Sequence, residues 1–172
     1  LSLARELQEC SKDRAENLMI VDLLRNDLGR NCLPGSIRVP ELFSLESYPN
    51  VHHLVSSITG QLRPECDAIN LLQSAFPGGS ITGAPKIRAM QIIEELEPVR
   101  RSLYCGSVGY IGSEGQLDLN IAIRSLVCAN QQVYCWGGGG IVADSDVDAE
   151  YQETLTKIDN LLRALPVQAR DR

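Results

Sequence analysis

No two cysteines in this sequence stand at CxxC spacing. Cys10, Cys32, Cys66, Cys105, Cys128 and Cys135 are scattered, and the only histidines are the neighbours His52 and His53. A structural zinc site therefore has no ligand set. No apolar run approaches the ~20 residues that a membrane span needs. Positive charge is also short: 16 Lys and Arg face 22 Asp and Glu, a net charge of −6. That deficit argues against nucleic acid as the main partner, because phosphate binding needs a basic face. A small anion stays open, since a few local cations and backbone N–H groups can hold one. There is no internal repeat and no low-complexity segment. An initiator Met is absent too, and Leu1-Ser-Leu-Ala-Arg-Glu-Leu7 opens in a helical pattern without a cap. Natural domains seldom begin inside an element, so a piece of a longer protein is expected. Scattered thiols in a chain that does not open on a signal-peptide pattern predict reduced cysteines and a cytosolic setting.

What is there suits one ordinary domain: 172 residues, 44% hydrophobic and 22% charged, enough to bury a core. The first thirty residues predict helix, with Leu3, Leu7, Leu18, Val21, Leu24 and Leu28 near helical spacing and Gly29 as a stop. Short strands are expected at Ser36 to Val39 and Val51 to Thr59. A helix is expected from Asp67 to Phe76. A loop, Pro77 to Lys86, then feeds a helix whose apolar positions are Ile87, Met90, Ile93 and Leu96. Strands Leu103 to Ile111, Leu117 to Cys128 and Gln132 to Trp136 predict an antiparallel meander. Gly137 to Gly140 lead to a last helix, with Ser145 and Asp148 at capping-box spacing and Tyr151, Leu155, Ile158, Leu162 and Leu165 as its stripe. The class is α+β. The domain is expected to run over residues 1–165, with a frayed tail from Pro166 to Arg172.

Several constellations can carry chemistry, and each has a structural alternative. Asp13 with Glu16, and Glu150 with Glu153, are acidic pairs three apart, so each points one way from a helix. Opposed carboxylates from two helices suit Mg²⁺. Acids in a helix's first turns and a Glu153–Lys157 pair at i,i+4 are equally what ordinary helix electrostatics produces. The loop from Gly78 to Lys86 ends at a helix start, where an anion can bind. It lacks the P-loop spacing, and a structural turn gives the same pattern. Gly137 to Gly140, between Tyr134-Cys-Trp136 and Ile141-Val142, can ring a carboxylate with N–H groups; a flexible loop is the alternative. Arg124 within Ile121-Ala-Ile-Arg-Ser-Leu-Val127 is expected half-buried on a strand. It needs an anion there, either an internal acid or a ligand carboxylate. His53 sits on the strand Val51 to Thr59, facing opposite to His52, and is either a structural residue or a site residue.

Together these segments resemble the chorismate-utilising enzymes. The resemblance rests on Glu16-Asn-Leu-Met-Ile-Val-Asp-Leu-Leu-Arg-Asn-Asp27, Val51-His-His-Leu-Val-Ser56, Gly79-Ser-Ile-Thr-Gly-Ala-Pro-Lys-Ile-Arg-Ala-Met90 and Gly138-Gly-Gly-Ile-Val-Ala-Asp-Ser145. Glu150-Tyr-Gln-Glu-Thr154 followed by Lys157 completes it. The motifs run in the family's order from about residue 10 to residue 165. The forms Pro77-Gly-Gly-Ser-Ile-Thr-Gly83 and Lys12-Asp-Arg-Ala-Glu-Asn17 are most similar to the aminodeoxychorismate synthase component I branch.

The resemblance implies part of a two-layer antiparallel β-sandwich flanked by helices, of which this chain would be the C-terminal portion. It implies amination of chorismate to 4-amino-4-deoxychorismate, on the route to para-aminobenzoate and folate, with ammonia from a glutamine amidotransferase subunit. Glu16 and Glu153 would be Mg²⁺ ligands, with Asp13 and Glu150 beside them. Arg124, Tyr104 and the Gly140 N–H would hold the enolpyruvyl carboxylate, with Gly138 and Gly139 in the same loop. His53, Ser80 and Thr82 would line the ring pocket, and Lys157 would neutralise carboxylate charge. The family's nucleophilic Lys and its general-acid Glu are expected upstream, so no catalytic residue is assigned here and turnover by this chain alone is not expected. Trp136-Gly137 also departs from the small Ser-Ala pair of the family's pattern. Open sheet edges would favour self-association. Anthranilate synthase component I and a non-catalytic chorismate-binding fragment are the alternatives.

Overall fold

The computed structural model describes residues 2–48, 51–143 and 145–165. The expected tail from residue 166 lies outside them. The chain divides into two compact units, Leu1–Leu96 with Ile111–Leu117, and Glu97–Tyr110 with Asp118–Arg172.

In the first unit the opening helical pattern is two helices, α1 (Ser2–Glu9) and α2 (Ser11–Gly29), rather than one. The break is at Cys10, whose backbone turns extended (φ −64°, ψ 113°) and whose side chain gives no cap hydrogen bond. A hairpin follows, β1 (Arg38–Tyr48) and β2 (Val51–Thr59), antiparallel with Glu46 opposite His53 and Ser47 opposite His52. The sequence predicted a strand ending at Val39, before Pro40. The ladder instead continues through Pro40 because register shifts between Arg38 and Ser44 take up the missing donor, and Phe43 sits at φ 58°.

One side chain ties the hairpin to α2. The Asn17 amide donates to the Leu54 carbonyl at 3.0 Å, and the Ser56 hydroxyl donates to Asn17 Oδ1 at 2.6 Å. The Arg14 guanidinium lies over the Phe43 ring at 5.0 Å. Then come α3 (Ala68–Ala75), capped reciprocally by Asp67 and Asn70, a 3₁₀ turn at Gly79–Ile81, and α4 (Lys86–Leu96). Ile87, Met90 and Leu96 of α4 are exposed, so its apolar stripe does not face a core in this chain.

The second unit departs more from the meander. Residues 103–106 are a turn, and β3 (Ser107–Ile111) begins after it. The long strand expected from Leu117 to Cys128 is two, β4 (Leu117–Ile121) and β5 (Leu126–Ala129). Between them the Ile123 N–H turns back to the Ile121 carbonyl at 3.0 Å and the Ser125 hydroxyl takes the Ile123 carbonyl at 3.0 Å. These local bonds outcompete the ladder. β4 pairs with β3, and β5 pairs antiparallel with β6 (Gln132–Cys135), giving two separate ribbons.

The last helix, α5 (Val147–Arg163), is capped by Asp146, whose carboxylate accepts the Ala149 N–H at 2.9 Å. Ser145, expected as the cap, accepts the Val142 N–H at 3.0 Å instead. Tyr151, Leu155 and Leu162 of the expected stripe are exposed, and α5 packs through Thr154 and Ile158 on Gly137.

Helices with antiparallel ribbons make the class α+β, as expected. Among the described residues the buried apolar side chains are Ala4, Val21, Cys32 and Ala122. The core is therefore far smaller than composition allows, and much apolar surface of β3, β4 and α4 faces outward.

Candidate functional site

The Gly137–Gly140 loop leaves β6 and runs beside the first turns of α5. Gly137 is a packing glycine: a Cβ there would stand 2.7 Å from Ile158 Cγ2. This contact sets the loop against the helix face that carries Glu150, Glu153 and Lys157 at spacings of three and four. At Gly138 a Cβ would stand 2.7 Å from the Tyr104 hydroxyl. At Gly139 the same construction meets Glu150 Oε2 at 3.1 Å, Lys157 Nζ at 3.8 Å and Glu153 Oε1 at 3.9 Å. The bare backbone of the loop therefore faces a phenol, two carboxylates and an ammonium. Among the described residues no protein acceptor receives the N–H groups of Gly138, Gly139 or Gly140.

Existing bonds within this cluster are modest. Lys157 Nζ pairs with Glu153 at 2.5 Å, with 32% and 50% of the two side chains exposed, and also reaches the Gly138 carbonyl at 3.4 Å. Exposed pairs of this kind contribute about 0–1 kcal/mol, so an incoming anion or cation can exchange them at small cost. The Ser145 hydroxyl donates to Glu150 Oε1 at 2.6 Å, which orients that carboxylate. Burial, and then the neighbouring Cys105 thiol, pushes the Tyr104 phenol up to about 12. It is a neutral hydrogen-bond donor at any working pH.

Glu150 and Glu153 fit Mg²⁺ by donor chemistry. They are hard carboxylate oxygens one helical turn apart, and this ion is commonly held by one or two carboxylates plus water and substrate oxygens. Among the described residues no three His, Cys, Asp or Glu side chains are grouped as a complete metal cage.

The first unit carries the rest of the expected residues. Asp13 and Glu16 share one face of α2, both half-buried. His53 is exposed on β2, its ring edge-on to Tyr48 at 5.8 Å. Ser80 is exposed in the 3₁₀ turn, while the Thr82 hydroxyl donates back to the Gly78 carbonyl at 2.9 Å. The loop 77–85 thus uses its own groups internally. Arg124 corrects the expectation most: it lies between strands, at φ 49°, and is exposed rather than half-buried. The buried charges are elsewhere. Asp27 and Lys86 form a pair at 2.6 Å that sequence reasoning missed. The signal available was Asp27 itself, an acid four residues past Leu23 on a packed helix.

Among the described residues no helix is long and apolar enough to cross a membrane. The six cysteines are unpaired.

A family model described as chorismate binding enzyme matches residues 1–163. The aminodeoxychorismate synthase component 1 of Escherichia coli (strain K12) is 59% identical over 162 residues, 94% of this chain and 36% of that protein. The anthranilate synthase component 1 of Aquifex aeolicus (strain VF5) is 47% identical over 165 residues, 96% of this chain and 33% of that protein. The crystal structure of anthranilate synthase component I from Streptococcus pneumoniae TIGR4 superposes with a TM-score of 0.86 at 43% identity, covering 92% of this chain and 37% of that one. The chain spans just over a third of the length of the curated aminodeoxychorismate synthase component 1 relatives from Escherichia coli, Salmonella typhimurium and Klebsiella aerogenes.

Proposed function

Because the chain belongs to the chorismate binding enzymes, we propose that it supplies part of the chorismate site of an aminodeoxychorismate synthase component 1. The whole enzyme would replace the ring 4-hydroxyl of chorismate by an amino group, releasing water. Its ammonia would come from a glutamine amidotransferase partner. Identity supports this product over anthranilate, at 59% against 47% for the relatives named above.

The observation that carries the reading is the Gly138–Gly140 loop, with unclaimed N–H groups beside Tyr104 and Lys157. Chorismate carries two carboxylates. One is received by the loop N–H groups and the Tyr104 hydroxyl, as a fixed ring of donors. Lys157 supplies the positive charge that a site flanked by Glu150 and Glu153 otherwise lacks. Arg124 joins it as a second cation for the enolpyruvyl carboxylate, reaching the ligand from an exposed turn. When bound, Mg²⁺ would neutralise the other carboxylate and polarise the ring toward loss of hydroxide. Glu150 and Glu153 would hold it, with Ser145 fixing the first of them. For the first unit the motif match implies a metal-ligand role for Glu16, with Asp13 beside it, and a ring-lining role for His53, Ser80 and Thr82. A cytoplasmic setting rests on the scattered cysteines of the sequence, none of them at CxxC spacing.

Chromatography of a reaction holding this chain, chorismate, ammonium and magnesium tests the reading. We expect chorismate bound but not turned over by the chain alone. Conversion to anthranilate would overturn the choice of product, and failure to bind chorismate would overturn the whole.

A further inference from the structure

Asp27 is the most buried charged residue described, with 4% of its side chain exposed, and its partner Lys86 keeps 17%. The position of Lys86 is costly on helix electrostatics alone. It is the first residue of α4, where the dipole disfavours a cation. The same ammonium donates at 3.1 Å to the carbonyl of Ala75, the last residue of α3, where the dipole favours it. One Nζ therefore joins the end of α3, the start of α4 and the α2 carboxylate.

Residues 76–85, which carry Ser80 and Thr82, run between the two ends so tied. The middle of this loop is docked on the same strip of α2. Leu23 lies one turn before Asp27, and a Cβ on Gly79 would stand 3.0 Å from Leu23 Cδ1. Inside the loop the Thr82 and Gly83 N–H groups donate to the Gly79 carbonyl at 3.3 and 3.0 Å.

We propose that Asp27 and Lys86 are positioning residues, a buried clamp that holds loop 76–85, which carries the candidate ligand residues Ser80 and Thr82, in one shape. This rests on the chorismate reading for the identity of the ligand, but the clamp itself does not. A buried pair is weak evidence for stability, because an apolar or neutral replacement of both partners is often tolerated. Its value here lies in fixing two chain ends at once.

The test is the 172-residue chain carrying Asp27→Asn together with Lys86→Met, which removes both charges and strands neither. We expect an unchanged far-ultraviolet spectrum and protected β2 amides. Exchange of the Thr82 and Gly83 amides should be faster by about tenfold or more. Chorismate in magnesium should bind about tenfold more weakly. Should the double variant not fold, Lys86→Gln serves. Its shorter amide can satisfy Asp27 or Ala75 but not both, and the same loop amides should exchange about threefold faster or more. A folded variant with unchanged loop exchange and unchanged affinity would overturn the clamp. Faster loop exchange in a protein whose unaltered form binds no chorismate would uphold the clamp and overturn the ligand.

Discussion

Loops 77–85 and 137–140 are both glycine-rich, and each leads to a helix. In the first, Thr82 and Gly83 spend their donors on the Gly78 and Gly79 carbonyls, Gly79 is buried on Leu23, and a buried ion pair closes the ends. In the second, three successive glycines leave their N–H groups unclaimed among the described residues, and the side chains around them are half-exposed and loosely paired. A glycine-rich loop before a helix is therefore two different devices. In one, glycine permits close packing; in the other, it leaves backbone donors bare. What separates them is where each N–H goes, which is a property of the fold and not of the glycine count.

That contrast can be broken first at its strongest point. Asp27→Ala alone leaves Lys86 buried without its acid, and should cost about 3–5 kcal/mol in urea unfolding of the chain. A loss under about 1 kcal/mol would show that the first loop is not held by this pair. Next, Gly137→Ala places a methyl 2.7 Å from Ile158 Cγ2, and should cost about 1–3 kcal/mol by overpacking. Gly140→Ala meets nothing within 4 Å and should change stability by under about 0.5 kcal/mol, which thermal melts of the two variants compare directly.

Smaller still in stability, Glu153→Gln breaks only an exposed pair and should stay within about 1 kcal/mol of the parent. Its effect should appear instead as a weaker magnesium dependence of chorismate binding, read by titrating the metal. Unchanged dependence would remove Glu153 from the metal site. The smallest effect is spectroscopic. Tyr104, raised to about 12, should ionise well above an ordinary phenol near 10, so Tyr104→Phe should delete the last step of an alkaline absorbance titration. The sign is that of a raised acid: any stability tied to the neutral phenol is present below about pH 10 and is lost as pH rises through about 12. Loss of an ordinary step near 10 would show that Tyr104 is not enclosed by the glycine loop and its turn.

Much of the fold was legible where periodicity or a cap fixed an element. α3 follows from Asp67 and Asn70, β2 from its β-branched run, and α4 from the residue after Pro85. The failures are local competitions that pattern cannot weigh. β1 passes Pro40 because a bulge absorbs it, and the strand through Arg124 breaks because Ser125 and the Ile121 carbonyl offer shorter-range bonds. Of the candidate site, spacing on α5 placed Glu150, Glu153 and Lys157 on one face, and the structure brings that face to the glycine loop. Tyr104 entered only through the family resemblance, since its turn carries no pattern pointing at residues 138–140. The Asp27–Lys86 pair spans 59 residues of sequence, a separation at which no helix or strand period relates two positions.

The chorismate reading turns on whether the Gly138–Gly140 loop, with Lys157 beside it, receives a carboxylate of the ligand. Calorimetric titration of chorismate into the chain in magnesium, for the parent and for Lys157→Met, tests it most directly. Binding by the parent should be saturable and should weaken about tenfold or more in the variant, while the melting temperatures stay together. Equal affinity in two equally stable proteins would contradict it, and would move the ligand away from this loop.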